Sequence, residues 1–129
     1  MFEYHGWLTA QHDVEYDDQA RSAEVYEAVE ARLAEFDTVS GLVDLRRVNG
    51  KIQLHVAGYK NHPQWNVVEA FKEIGTIAPG SYGMLWIRND EDPDKFNEFQ
   101  AIVMRRGQVS VEPDTLLSPC VPIIENEDE

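Results

Sequence analysis

GLVDLRRVNGKIQLHVAGY, residues Gly41 to Tyr59, is the stretch from which the architecture follows. At its centre Asn49-Gly50 is the dipeptide favoured in a two-residue hairpin turn, where both residues need positive φ and where Asn and Gly tolerate it. Gly41–Val48 and Lys51–Tyr59 then pair as antiparallel arms. In the second arm Ile52, Leu54 and Val56 alternate with Gln53 and His55, so one face belongs to a core and the other is wetter. Arg46, Arg47, Lys51 and Lys60 make this hairpin the one basic island of the chain.

Working outward toward the N-terminus, Phe2, Tyr4, Leu8 and Ala10 alternate with Glu3, His5, Trp7, Thr9 and Gln11, the pattern of a strand with one buried side. Asp17 and Asp18 are placed to cap a helix of about eighteen residues. Within it Tyr26, Val29, Leu33 and Phe36 form an apolar stripe, and Glu24, Glu27, Glu30 and Glu35 take the solvent side. Beyond the hairpin, Pro63 suits the first turn of a second helix with Val67, Phe71, Ile74 and Ala78 on one side. Ala78-Pro79-Gly80 closes it. Three more strands follow, Tyr82–Arg88, Phe99–Arg106 and Gln108–Glu112, the last two joined by a tight turn at Arg106-Gly107. The prolines around Leu116–Pro122 predict an extended arm lying on the domain, and the final acids are expected to fray. The order β-α-β-β-α-β-β-β predicts an α+β fold, a mainly antiparallel sheet with two helices packed on one face.

A chain of 129 residues, 43% hydrophobic and 10% aromatic, is large and apolar enough to bury one core. We therefore expect a single domain over 1–129 with an acidic tail at 125–129. The apolar runs are too short for a membrane span, and Met1-Phe2-Glu3-Tyr4 lacks the basic and apolar regions of a secretory signal. One cysteine, Cys120, forms no internal disulfide. Both features predict a cytoplasmic protein.

Charge sets the functional reading. Twenty-four acids against eleven bases leave a net charge of -13, and residues 1–40 hold ten acids and two bases. Asp90-Glu91-Asp92-Pro93-Asp94 is a compact acidic loop, and the chain ends Glu125-Asn126-Glu127-Asp128-Glu129. Such a surface repels nucleic acid and draws a basic partner, with association accelerated by Coulomb steering. The same excess also suits an acidic protein that is merely kept soluble.

Catalytic patterns fail on spacing. Asp90, Asp92 and Asp94 imitate the start of a calcium loop, but Lys95 stands where glycine is needed and Ala101 where the bidentate glutamate belongs. His5, His12, His55 and His62 are dispersed, without a zinc motif. His12-Asp13 reads as a turn feature. Cys120, between prolines and without a neighbouring base, reads as a buried small hydrophobe. G-x-S-x-G, G-x-x-x-x-G-K-[ST] and G-x-G-x-x-G are all missing. The sequence thus predicts no enzyme and no cofactor; a small metal-dependent hydrolase using Asp90, Asp92 or His12 is the weaker alternative.

Trp65 is expected in the core, at the start of an amphipathic helix. Trp7 has two readings: an exposed anchor at a protein interface, or a residue buried by a second helix covering that face. Three stretches then bear on kinship: Phe2-Glu3-Tyr4-His5-Gly6-Trp7; Gly80-Ser81-Tyr82-Gly83-Met84-Leu85 leading into Asn89-Asp90-Glu91-Asp92; and Leu117-Ser118-Pro119-Cys120-Val121-Pro122 before an acidic tail. In combination and order they resemble the immunity protein 7 family of bacterial polymorphic-toxin systems. The resemblance implies a small cytoplasmic α+β protein that binds and neutralises a cognate toxin C-terminal domain, without chemistry. A basic toxin domain, such as a nuclease with a phosphate cleft, would be held 1:1, and neither nucleic acid nor membrane is a partner. Contact candidates are Trp7, Glu24 and Glu27, and the loop residues Asp90, Glu91, Asp92 and Asp94. An acidic adaptor or nucleic-acid mimic acting on another basic protein is the alternative.

Overall fold

The computed structural model of the chain describes residues 1–15 and 18–127. Asp17, the other proposed cap, and Asp128 and Glu129 of the acidic end lie outside the described residues. Nine elements follow in order: β1 (Phe2–Ala10), α1 (Gln19–Leu33), β2 (Gly41–Val48), β3 (Lys51–Lys60), α2 (Asn66–Ile77), β4 (Tyr82–Asn89), β5 (Gln100–Arg105), β6 (Gln108–Pro113) and the short α3 (Cys120–Ile123). The strands form one sheet in the order β2-β3-β1-β4-β5-β6. Every neighbouring pair is antiparallel. The expected α+β class and its strand and helix order are borne out, with α3 as an addition.

Local chemistry explains the elements. Asn49 and Gly50 adopt φ of 50° and 82°, closing the β2–β3 hairpin as their residue types predict. Arg106 and Gly107, at 49° and 71°, do the same between β5 and β6. Gly107 has a second reason to lack a side chain. A Cβ there would run into the carbonyl of Gly75 on α2, and one on Gly75 would meet Gly107, so this pair lets helix and turn touch backbone to backbone. Asp18 is extended and its carboxylate accepts the Arg21 amide N–H at 2.7 Å, an N-cap to the third helical residue. Pro63, predicted in the first turn of α2, instead precedes it: the helix begins at Asn66, after a helical Trp65 whose side chain makes no capping bond.

The period of two in the strands and of about 3.6 in the helices converge on one layer. Phe2, Tyr4, Leu8 and Ala10 of β1 face the same way as Ile52, Leu54 and Val56 of β3, and all are buried. Leu85 and Ile87 of β4 and Ile102 and Met104 of β5 extend that face. Val25, Val29 and Leu33 of α1 and Val67, Val68, Phe71 and Ile74 of α2 close over it. Fully burying one such side chain contributes about 1.5–3 kcal/mol, so stability resides on this side of the sheet. Tyr26 and Phe36, predicted in the α1 stripe, pack at its margin, with Val25 taking a central place.

The C-terminal segment crosses to the other face. Ser118 Oγ accepts the Phe99 N–H at 2.9 Å, the Cys120 N–H donates to Asn97 O at 2.9 Å, and the Val121 N–H donates to Asn97 Oδ1 at 2.7 Å. The predicted extended arm therefore lies on the domain, but it ends in a helical turn because Asn97 supplies partners for the backbone of Cys120 and Val121, while Ser118 of the arm takes the Phe99 N–H. Cys120 is wholly buried. Glu125, expected to fray, is clamped: Arg88 Nη1 and Nη2 donate to its two carboxylate oxygens at 2.7 and 3.1 Å.

Candidate binding surfaces

The two long helices, α1 and α2, take the same side of the sheet, so the outward side chains of β1, β3 and β4 have neither over them; the C-terminal segment with α3 reaches that side only at the Arg88 end. In register across β1 and its neighbours, Trp7 faces His55 on one side and Met84 on the other, and His5 faces Trp86. The Trp7 and Tyr82 rings meet edge to face at 6.1 Å, and His5 and Tyr59 at 5.6 Å. Tyr82 and Tyr59 are exposed, while Trp7, Met84 and Trp86 are half-buried. Of the two readings of Trp7, burial under a second helix is removed. It belongs to an aromatic platform on the uncovered sheet.

One end of that platform is closed by the tail. Arg88, which faces Glu3 in the register, is only 6% exposed, and Phe99, whose N–H is held by Ser118 of the same segment, is buried as well. The Arg88 guanidinium holds the Glu125 carboxyl below its usual range, chiefly through their hydrogen bonds. Burial pushes the Cys120 thiol up, with the nearby Arg88 charge opposing that shift. A thiol raised in this way is a poor nucleophile. No signal in the sequence marks Arg88 as a buried charge, because its partner lies 37 residues away in a stretch read as frayed.

The acidic candidates are elsewhere. Glu24, Glu27 and Glu30 are exposed along the outer side of α1. Arg32, the one base in the last turn of that helix, is engaged by Glu35 at 2.6 Å and by Glu73 of α2, so the two helices share an ion pair. The Asp90–Asp94 loop joins β4 to β5, and its charges have local uses. Asp90 pairs with the Met1 amino group, Glu91 lies 2.7 Å from His62 Nδ1, and Asp92 Oδ1 accepts the Asp94 N–H at 2.9 Å. Asx-type bonds of this sort shape a turn and are the common use of aspartate in loops.

The predicted contact residues are therefore not one site. Trp7 lies on the open face of the sheet, Glu24 and Glu27 on the far side of the helical layer, and Asp90, Glu91, Asp92 and Asp94 at an edge between them. A helix of about 10 Å diameter separates the first two sets. Trp65, predicted in the core, is half-exposed on the helical side, with its ring 5.2 Å from Phe2 in an edge-to-face contact. It stands over a groove of about 290 Å³ that also involves Val68, Lys72, Ile87, Asp92 and Lys95.

Chemically, these surfaces offer contact area. Among the described residues no three His, Cys, Asp or Glu side chains converge as metal ligands. His12 accepts from Arg21 Nη1 at 2.8 Å, and Asp13 Oδ1 accepts the Glu15 N–H at 3.1 Å, so this pair is built into the approach to α1. No helix is long and apolar enough to cross a membrane among the described residues. A two-layer domain with an acidic helical side and an aromatic sheet side has the features of a protein-binding module.

Comparison with known families makes that class specific. The model of Immunity protein 7 matches residues 1–126, and the chain belongs to that family. Family membership makes it an immunity protein, whose counterpart is a cognate toxin. Comparisons with curated proteins and with solved structures gave no match.

Proposed function

We infer that this protein binds a single bacterial toxin domain one to one and silences it by occupying its surface, with no turnover of its own. The match to Immunity protein 7 over residues 1–126 carries the reading. The net charge of -13 supports the finer part, that the toxin is basic. A nuclease domain with a phosphate-binding cleft is the toxin type whose charge complements such a chain, and an acidic protein can hold that cleft without chemistry. The site of action is the cytoplasm of the producing cell, where the toxin must be neutralised before export or after entry.

Co-expression tests the reading directly. The toxin domain encoded beside this gene should arrest growth alone, and this protein should restore it. The purified pair should run as a 1:1 complex in light scattering. Continued arrest together with separate elution of the two proteins would reject the proposal.

A further inference from the structure

The open sheet face has a charge unlike the rest of the molecule. Along its border Asp44 pairs with Arg46 at 2.9 Å, and the outward positions also carry Lys51 and Arg105 on one hand and Glu3 and Glu112 on the other, two charges of each sign. Glu3 in turn accepts from His5 Nε2 at 2.6 Å. The excess of acid in the chain is thus carried by the helices and loops, and the centre of the face is Trp7, Tyr82, Met84, Trp86 and Val103. Sheets that show one side to water normally place polar residues at outward positions. Here the outward row across β1, β4 and β5 is aromatic or apolar, and Trp and Tyr are the residue types that dominate the centres of protein interfaces.

Resting on the immunity reading, we propose that the toxin domain is gripped by this face through an apolar patch ringed by polar groups of both signs, while the acidic helices serve only its approach. Size agrees. Six strands spaced about 4.8 Å apart, with about 3.3 Å per residue over eight residues, span roughly 24 by 26 Å. The projected area, on the order of 600 Å² with the end under the C-terminal segment included, is of the order of the ~800 Å² that each partner gives to a standard interface. Charge selects the occupant. A second copy would bring its own net -13 against the first, whereas a basic domain is drawn in and then meets a face whose central residues carry no charge to desolvate. The two-layer geometry makes the choice exclusive, because a globular partner seated on Trp7 cannot also rest on Glu24 and Glu27 behind the sheet.

Binding kinetics with the purified toxin domain test this. Tyr82→Ala and Trp86→Ala should each speed dissociation by about thirtyfold or more, as central aromatic anchors do. Glu24→Gln, Glu27→Gln and Glu30→Gln combined should slow association at low salt and leave dissociation unchanged. Dissociation that ignores the sheet variants and responds to the helix variants would overturn the proposal. Trp86 is half-buried, so a second measurement spares the sheet: in a Trp65→Phe background, complex formation should shield the remaining tryptophan fluorescence from iodide. Undiminished quenching in a formed complex would also overturn it. A dimer of the free protein that Tyr82→Ala disperses would assign the face to a second copy. Should the unaltered protein bind no toxin at all, the immunity reading itself fails, and this inference falls with it.

Discussion

One side of the sheet stores the stability of the molecule and the other displays its recognition chemistry, although both are built from the same strands. On the covered side Leu8 and Leu85 are fully buried under α1 and α2. On the open side Met84, one residue before Leu85 in β4, stays half-exposed beside Trp7. Strand alternation alone produces this division, and it teaches that neighbouring residues in one strand can answer to different selection pressures. The sharpest way to break the comparison is to truncate one residue on each side. Leu8→Ala leaves a cavity in the core and should cost about 2–5 kcal/mol in urea denaturation. Met84→Ala should cost well under half of that, because its side chain already meets water. Equal losses would mean that the open face is structural.

Much of this was legible beforehand, for a local reason. Asn49-Gly50 specifies its turn by backbone chemistry, the alternation from Phe2 to Ala10 is read within one strand, and the spacing of Val29 and Leu33 within one helix. What the sequence left open was whether a helix also covers the face that bears Trp7. That depends on packing between elements far apart in the chain, and it is the step that separated Trp7 from Glu24 and Glu27. Trp65 looked like a core residue because it opens an amphipathic helix; its place at the helix start, beside a groove, leaves it half-exposed. Glu125 looked like part of a frayed tail because a run of acids carries no sign of the buried guanidinium that will hold one of them.

That clamp gives the next largest effect, since it fixes how much of the open face the tail covers. Glu125→Ala would leave the Arg88 charge buried without its carboxylate, costing about 1–3 kcal/mol. The pH dependence follows from the lowered carboxyl. A group whose folded pKa lies below its unfolded value adds stability above the unfolded value and loses it as pH falls through the folded one. For Glu125 the loss therefore begins near its ordinary value of 4.5 and runs downward. Hydrogen-exchange protection of Cys120 and Val121, measured against the intrinsic rate at each pH, should fall below that pH in the native protein. In Glu125→Ala the same amides should already exchange fast at neutral pH. Exchange unaffected by either change would show that Asn97 and Ser118 hold the segment unaided.

The acidic helical side should show itself in rate more than in affinity. Removing the charges of Glu24, Glu27 and Glu30 together should slow toxin association by roughly threefold to tenfold at low ionic strength. At 0.15 M salt, where the Debye length is about 8 Å, most of that difference should vanish. An effect that survives high salt would move those carboxylates into the contact and merge the two sides that the structure keeps apart.

The Asp90–Asp94 loop should have the smallest effect, although its sequence promises the largest. Asp90 is balanced by the Met1 amino group and Lys95 follows directly, so the field beyond the loop is weaker than four acids suggest. Asp94→Asn should lower the association rate by no more than about twofold at low salt, within the range of single exposed charges. Because the loop stands at the edge between the two sides, its dissociation effect is the informative one. If Asp94→Asn leaves dissociation unchanged, the footprint ends within the sheet. If it accelerates dissociation as Trp86→Ala is expected to do, the toxin reaches around the β4–β5 edge, and the boundary between gripping and steering surfaces must be drawn through the loop.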